Sequence, residues 1–474
     1  MRSAGETWPR ASWIEACLGA GRPRGLGLTR RALTIELTLT ALVAASALAA
    51  CLRAVADGYL PQPFYFLKSD TLMDWFNTAY WANRSGAYDV WGAIYPPLSL
   101  DFLRLFSLHG CYAAGPAAAR DCDWLGRATL LGDYCLNACL AGVAFWRADR
   151  ATAPIRTVAL ALSLPNLYAL ERGNLVIPCL TLFILSEGGL LSGRIGRGLA
   201  LGLAVNFKPY LAVVLVPLAV ARRWTWLGAS LAACIAAYTA SFVIEGGGSP
   251  AQLLHNAASF VGQAAANDWN NLYNPTSYIA LLDVIFFRRQ ALGFVPAWLL
   301  DAAPFVLIGT MALGLIGLLT TYTAAFLGRV EASPARLAAI GIAFVLSVTG
   351  ASGYTEVFLL FLIFLEPWKG AGIILALTSA YLLSICADVV VVAAPMAPMR
   401  SWLSGQDVIP FAGYAVGQFV RPALVLLAEF GLIAATLETR RSRTVAHGGA
   451  IAPDVSTAPP VALLSDADAS SAGL

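Results

Sequence analysis

The sequence predicts an all-α polytopic membrane protein with about 12 transmembrane helices. Of its 474 residues 58% are hydrophobic and 12% are charged, and the mean hydropathy is +0.68. Soluble domains carry about 25% charged residues. Apolar runs long enough to cross a bilayer recur along the chain. These runs make the lipid bilayer the expected surroundings. The net charge of only +3 offers no electrostatic reason to bind nucleic acid.

The first segments place the chain in the membrane. Residues 1–32 form an Arg-rich tail, which we expect to be cytoplasmic because cytoplasmic loops hold the positive charge. The run "ALTIELTLTALVAASALAACL" predicts a first span at about 33–54. The next basic cluster follows a strong apolar run at about 128–146. Residues 56–127 are therefore predicted to form an external loop, in which "PPLSLDFLRLFSL" is typical of a helix at the membrane interface.

The remaining apolar runs alternate with basic loops. They predict spans at about 155–170, 174–191, 196–207, 209–222, 224–244, 303–327, 336–350, 354–366, 370–394 and 412–437. Both termini are then cytoplasmic, and residues 245–302 form a second external loop. We expect residues 33–437 to be one transmembrane domain. The Ala-, Ser-, Asp- and Pro-rich residues 438–474 predict a disordered tail.

The nine cysteines show no zinc-type spacing. No metal-ligand cluster is visible in the sequence. No cofactor is expected, and a requirement for a divalent metal stays open. Cys111 and Cys122 differ from the others because they lie in a polar loop. On the oxidising side of the membrane this pair predicts a disulfide.

Polar side chains collect on the predicted external face. The first loop supplies Asp70, Asp74, Tyr88 and Tyr95. Four later connections add Glu171, Arg172, Asn174, Asn206, Lys208, Tyr210, His255, Asn256, Asp268, Asn270, Asn271, Asn274, Tyr354 and Glu356. Acids, bases and amides from five connections therefore predict a site at this face.

Several of these residues also have a structural interpretation. Asp74 stands three residues after Thr71, the spacing of a capping box. Arg172 and Lys208 could snorkel to the interface, and a single loop histidine such as His255 is common.

A known family has the same motifs in the same order. An early Asp70 is followed by Gly86 and Tyr88 in "SGAYDVW" and by Tyr-Pro-Pro from Tyr95. "ERGN" at 171–174 and "FKPY" at 207–210 come later. This order resembles the GT-C superfamily of integral-membrane glycosyltransferases. It is most similar to glycosyltransferase family 87, whose members use polyprenol-phosphate sugars and include mannosyltransferases.

The likeness spans about 33–437. The chain departs from the family pattern at Asn174, where Gln is common, and in its second carboxylate, Asp74.

The resemblance implies a GT-C-type bundle and an inverting transfer of a hexose. The donor is a polyprenyl-phosphate sugar and the acceptor a glycan or glycolipid. The site faces the outside of a bacterial cytoplasmic (inner) membrane. Asp70 is implied as general base, with Asp74 as the second candidate.

Fixed cations would stabilise the leaving phosphate. The expected phosphate ligands are Arg172, Lys208 and His255. The expected lining residues are Tyr88, Tyr95, Glu171, Asn174, Asn206, Tyr210 and Glu356.

Two other classes stay open. A transporter or lipid flippase would depend on ionisable groups inside spans, but Asp133, Asp388 and Glu429 do not form the midplane chain typical of proton or ion coupling. A polysaccharide polymerase or ligase that acts on a lipid-diphosphate sugar would use the same external cations. It would depend on external Arg and His more than on an early Asp.

Overall fold

The chain is mostly helical. The computed structural model describes residues 30–64, 67–245, 248–266, 275–287, 289–401 and 403–448. The helices, in chain order, are α1 Arg30–Asp57, α2 Met73–Ala82, α3 Pro97–Leu105, α4 Pro116–Cys122, α5 Trp124–Ala148, α6 Ala153–Ala161, α7 Leu164–Arg172, α8 Val176–Glu187, α9 Arg194–Phe207, α10 Leu215–Val220, α11 Trp224–Glu245, α12 Pro250–Ala266, α13 Ile279–Phe287, α14 Ala297–Phe326, α15 Pro334–Val348, α16 Val357–Phe364, α17 Ala371–Leu383 and α18 Gly417–Gly448.

Membrane character follows from helix length and composition. Within the described ranges five helices are long and apolar enough to cross a bilayer, namely α1, α5, α11, α14 and α18. Shorter apolar helices pack between them. Residues 357–364 of α16 are all buried, because a helix that is apolar on every side can only lie inside the bundle. Phe183 packs edge-on against Phe358 of this central helix at 5.1 Å.

Several predicted spans differ from the structure, and the predicted number of 12 spans is not confirmed. The predicted span at 155–170 is two short helices, α6 and α7. The break comes at Ser163, whose hydroxyl accepts a hydrogen bond from the Asn166 amide and so starts α7. The predicted span at 370–394 stops at Leu383, and an extended segment follows.

The structure agrees with the predicted all-α class, and two small antiparallel sheets lie among the helices. β1 (Val390–Pro395) pairs with β4 (Phe411–Ala415), and β2 (Met399–Arg400) pairs with β3 (Asp407–Val408). The β-branched run before the Pro-containing turn favours strands over helix. Helix α18 extends into the predicted tail, as far as Gly448. The rest of that tail and residues 1–29 lie outside the described part of the chain.

A buried ion pair fastens the first helix to the bundle at the end remote from the site. Arg156 and Glu36 are 2% and 0% exposed. The Arg156 Nε donates to Glu36 at 3.1 Å, and its Nη1 donates to the backbone oxygens of Phe364 and Glu366. The Tyr381 hydroxyl also donates to Glu36. Arg156 donates four hydrogen bonds, and Glu36 accepts from both Arg156 and Tyr381, which allows charges to be buried here.

The first long connection is tied down at two places. Cys111 and Cys122 form the predicted disulfide, with a Cα–Cα distance of 5.6 Å. The amide of Gln62 exchanges hydrogen bonds with the backbone of Gly413 in β4. The Gln62 contact ties the segment before Asp70 to β4, and the disulfide closes the later part of the same connection on itself.

Candidate functional site

Arg172 at the end of α7 is the centre of the candidate site. Its Nη1 donates to the carboxylate of Asp70 and, at 3.3 Å, to the Asp70 backbone oxygen. Its Nη2 donates to Asp74 at 2.9 Å. One guanidinium therefore joins both carboxylates of the first loop, as its planar fork of donors allows.

Gly173 explains why a sharp turn follows Arg172. It ends α7 with φ 64°, a left-handed conformation that favours glycine. A Cβ there would lie 2.9 Å from the backbone oxygen of Leu72. The amide of Leu72, itself at φ 63°, donates to the Glu171 backbone oxygen at 2.8 Å. The two connections thus lie backbone to backbone, which brings residues 70–74 and 171–174 together.

Asp74 does not cap α2, contrary to the capping-box interpretation. The helix begins at Met73 and its cap residue, Leu72, makes no side-chain cap bond. The Asp74 carboxylate instead accepts from Arg172 and, at 2.6 Å, from the Asn174 amide. The Asn174 oxygen accepts from the Val176 amide at 3.0 Å and so helps to start α8. Asp74 has two side-chain partners, whereas Asp70 has one side-chain partner among the described residues.

Lys208 supplies the second cation. It follows α9 and is 8% exposed. Its ammonium nitrogen lies 4.9 Å from the ring centre of Tyr95 and 5.9 Å from that of Tyr354, within cation–π range. Burial lowers the pKa of Lys208 to about 8, although the nearby Asp74 raises it. In the described part of the chain Lys208 forms no ion pair, so this charge is available to an anion.

Glu171 is the third carboxylate of the site. It is 8% exposed, and its Oε1 lies 3.5 Å from the Thr71 hydroxyl. Its Oε2 is buried without a hydrogen-bond partner in the described residues. Burial raises the pKa of Glu171 well above its usual range. Arg172 opposes this rise in pKa, and Asp74 and Asp70 add to it.

An apolar cavity of about 400 Å³ adjoins Glu171. It is walled by α1, α5, α7 and the segment that follows α1. Its lining residues are Ala47, Ala50, Cys51, Leu60, Phe64, Thr71, Leu72, Arg127, Leu130, Leu131, Leu167, Leu170 and Glu171. Thr71 and Glu171, next to Asp70 and Arg172 in the chain, join the apolar cavity to the charged cluster.

Two predicted lining residues support the cluster from behind. The Tyr88 hydroxyl donates to the Tyr95 backbone oxygen at 3.0 Å, and the Tyr88 ring stacks on Phe242. Tyr210 lies beneath Tyr95 and Tyr354, with its hydroxyl buried. Tyr88 thus holds the backbone of Tyr95, and Tyr210 lies close to the Tyr95 side chain.

Three predicted site residues lie elsewhere. Asn206 donates to the backbone oxygens of Gly202 and Cys234, and thereby joins α9 to α11 where glycines let these helices approach closely. His255 is exposed on α12 and makes no hydrogen bond or ion pair with any described residue. Glu356 is fully buried next to Arg421, which pairs with Asp388 at 3.0 Å.

Asn256 donates to the backbone oxygens of Tyr88 and Ala93. Four polar residues predicted from the second loop, Asp268, Asn270, Asn271 and Asn274, lie outside the described residues.

Two residues that help to build the site, Tyr168 and Leu72, were not predicted from the sequence. Tyr168 lies beside Glu171 and Arg172, and its ring is 5.7 Å from that of Tyr354. Its position one helical turn before Arg172 was the available signal. The left-handed Leu72 has no sequence signal, because leucine does not favour that conformation.

The arrangement combines a partly exposed carboxylate with two cations and an apolar cavity. No group of three or more His, Cys, Asp or Glu side chains in the described ranges is placed to hold a metal ion. Such a cluster can accept a proton at Asp70 and bind a phosphate at Arg172 and Lys208. Comparison of the chain with known protein families, curated proteins and solved structures finds no match.

Proposed function

We propose that this protein is a GT-C-type membrane glycosyltransferase. It transfers a hexose, mannose-like, from a polyprenyl-phosphate donor to a glycan or glycolipid acceptor on the external face of a bacterial cytoplasmic membrane. The transfer inverts the anomeric centre. Both chain ends are then cytoplasmic.

One observation carries this proposal: Asp70 and Arg172 meet beside the apolar cavity. The cavity suits a prenyl chain, and the cluster suits the phosphate at its end. Of the two carboxylates that Arg172 binds, that of Asp70 is the more exposed. The exposed fraction of the side chain is 33% for Asp70 and 19% for Asp74. A base that takes a proton from an acceptor hydroxyl must be reachable in this way.

Each residue then has a role in the transfer. The donor phosphate binds Lys208 and Arg172 and takes the place of Asp70 on the guanidinium. The freed Asp70 accepts the hydroxyl proton as the acceptor oxygen attacks the anomeric carbon. The bond from that carbon to the phosphate oxygen breaks on the opposite face. Arg172 and Lys208 stabilise the charge on the departing polyprenyl phosphate.

The test is transfer by the purified protein, in lipid nanodiscs, from radiolabelled polyprenyl-phosphate hexoses to envelope glycan extracts. Asp70→Asn should lower turnover by about 10²–10⁴-fold, the usual contribution of a general base. Asp89→Asn, an exposed acid of the same loop, is the matched control and should retain activity.

Equal turnover by both variants would exclude Asp70 as the base. Solute flux in liposomes without sugar transfer would favour a transporter. Transfer only from lipid-diphosphate sugars would favour a polymerase or ligase.

A further inference from the structure

We infer that Glu171 is a neutral carboxylic acid that donates a hydrogen bond to the phosphate of a lipid lying in the apolar cavity. This inference rests on the proposed function, because that function places a lipid phosphate beside Arg172. It assigns to Glu171 a contact with the donor that differs from those of Arg172 and Lys208.

The two oxygens of the Glu171 carboxyl group differ in their surroundings. Oε1 of Glu171 faces the Thr71 hydroxyl at 3.5 Å, whereas Oε2 has no partner in the described residues. The side chain is more than nine-tenths buried and lines the cavity. A buried polar oxygen without a partner is energetically costly. A ligand with a hydrogen-bond acceptor would relieve that cost.

The charges around Glu171 favour its neutral, protonated form. Arg172 already binds the carboxylates of Asp70 and Asp74. A third negative charge next to them, in an apolar wall, would have no ion-pair partner of its own among the described residues. Arg172, Asp70, Asp74 and Tyr168 are the titratable groups that influence Glu171 within the cluster. Arg127 and Cys51 face the same cavity from α5 and α1.

A neutral acid beside a guanidinium favours an anion as the ligand headgroup. The guanidinium supplies positive charge and the acid supplies a proton donor, so both suit phosphate oxygens. The apolar walls suit a hydrocarbon chain. A lipid phosphate unites the two, and it could be a polyprenyl phosphate or an ordinary anionic phospholipid. A comparison of the affinities for polyprenyl phosphate and for phosphatidic acid distinguishes these two ligands.

The test measures binding rather than transfer. Dissociation constants are determined by fluorescence titration in detergent micelles between pH 6 and pH 9.5. The probes are polyprenyl phosphate, polyprenol and dioleoyl phosphatidic acid. The variants are Glu171→Gln, which keeps a donor, and Glu171→Met, which is apolar and similar in size. The control is Glu187→Gln, because Glu187 is a buried acid at the C-terminal end of α8.

At pH 6 we expect Glu171→Gln to bind polyprenyl phosphate as the unaltered protein does. Glu171→Met should bind it about 10-fold to 100-fold more weakly, the value of a hydrogen bond to a charged group. Affinity for polyprenol should be equal in all variants. As the pH rises through the pKa of Glu171, the unaltered protein should lose affinity relative to Glu171→Gln. The ratio of the two constants isolates Glu171, because Lys208 and the phosphate titrate in both proteins.

Several results would overturn the inference. One is Glu171→Gln binding as weakly as Glu171→Met. Another is Glu171→Met binding as tightly as the unaltered protein. A third is the unaltered protein gaining on Glu171→Gln as the pH rises. If Glu171→Met does not fold, infrared difference spectra decide, since adding polyprenyl phosphate should shift a protonated-carboxyl band that Glu171→Gln lacks. The absence of that band from the unaltered protein would contradict the inference.

The outcomes also separate this inference from the proposed function. A protein that binds polyprenyl phosphate as described but transfers no sugar retains the inference and loses the function. Transfer that depends on Asp70 but not on Glu171 supports the proposed function and overturns the inference. Equal affinity for phosphatidic acid and polyprenyl phosphate identifies an ordinary phospholipid as the ligand and removes the cavity from the donor site.

Discussion

Arg172 and Asp70 are 102 positions apart in the sequence, yet the guanidinium of one contacts both the carboxylate and the backbone oxygen of the other. The proposed base and the proposed phosphate ligand therefore share one contact. Under the proposed function, a donor phosphate that binds Arg172 would release Asp70.

The first prediction concerns the forked contact of Arg172. Arg172→Lys keeps the charge but cannot hold Asp70 and Asp74 at once. The loss of one charge-assisted hydrogen bond, ~1.5–3 kcal/mol, should weaken donor binding by about 10-fold to 100-fold. Donor titration of the variant measures this, with the exposed Arg150→Lys as control. Unchanged donor affinity in Arg172→Lys would contradict the assignment.

The second prediction concerns Asp74 and Asn174, which hold each other at 2.6 Å. Because they act on one contact, Asp74→Asn and Asn174→Ala should each raise KM more than they lower kcat. The double variant should be less impaired than the product of the two single effects. A double-mutant cycle on the transfer reaction measures the coupling. Strict additivity would show that the two residues act independently.

The third prediction is a pH dependence that comes from Lys208. Its pKa is lowered to about 8 by burial, so it is charged below that pH and neutral above it. Donor affinity should therefore fall as the pH rises through about 8. Lys208→Arg stays charged, so the ratio of its affinity to that of the unaltered protein should rise over this range. The exposed Lys369→Arg should leave the ratio flat.

The fourth prediction concerns the disulfide between Cys111 and Cys122. It closes a short loop next to Tyr112, whose hydroxyl donates to Asp123 at 2.7 Å. Replacing both cysteines with serine should lower the free energy of unfolding by up to about 3 kcal/mol. Thermal unfolding in detergent measures the loss, with Cys51→Ser, an exposed free cysteine, as control. Ready alkylation of both thiols in unreduced cells would exclude the bond.

The fifth prediction concerns the buried pair of Arg156 and Glu36. Arg156→Ala leaves a buried carboxylate without its partner and should cost ~3–5 kcal/mol of stability. Replacing both residues with Met and Leu should recover much of that loss, because the uncompensated charge is then gone. Thermal melting compares the variants, with the exposed Arg194→Ala as control. Melting of Arg156→Ala at the unaltered temperature would contradict this role.

The sequence by itself determined the membrane class of the protein, the disulfide and the grouping of Asp70, Asp74, Arg172 and Lys208. These follow from quantities that are local in the chain. Apolar run length decides which helices can cross a bilayer. Two cysteines in one short polar loop can reach each other, and charges that flank apolar runs can be assigned to one membrane side.

Only the tertiary structure decided what each polar group contacts. Asp74 faces Arg172 and Asn174 rather than its own helix end because Leu72 adopts a left-handed turn against Gly173. Asn206 serves a helix–helix contact, and Glu171 has a buried oxygen in a cavity formed by segments more than 100 positions apart. A hydrogen bond acts over about 3 Å, so its partner depends on packing between distant segments, which sequence periodicity does not encode.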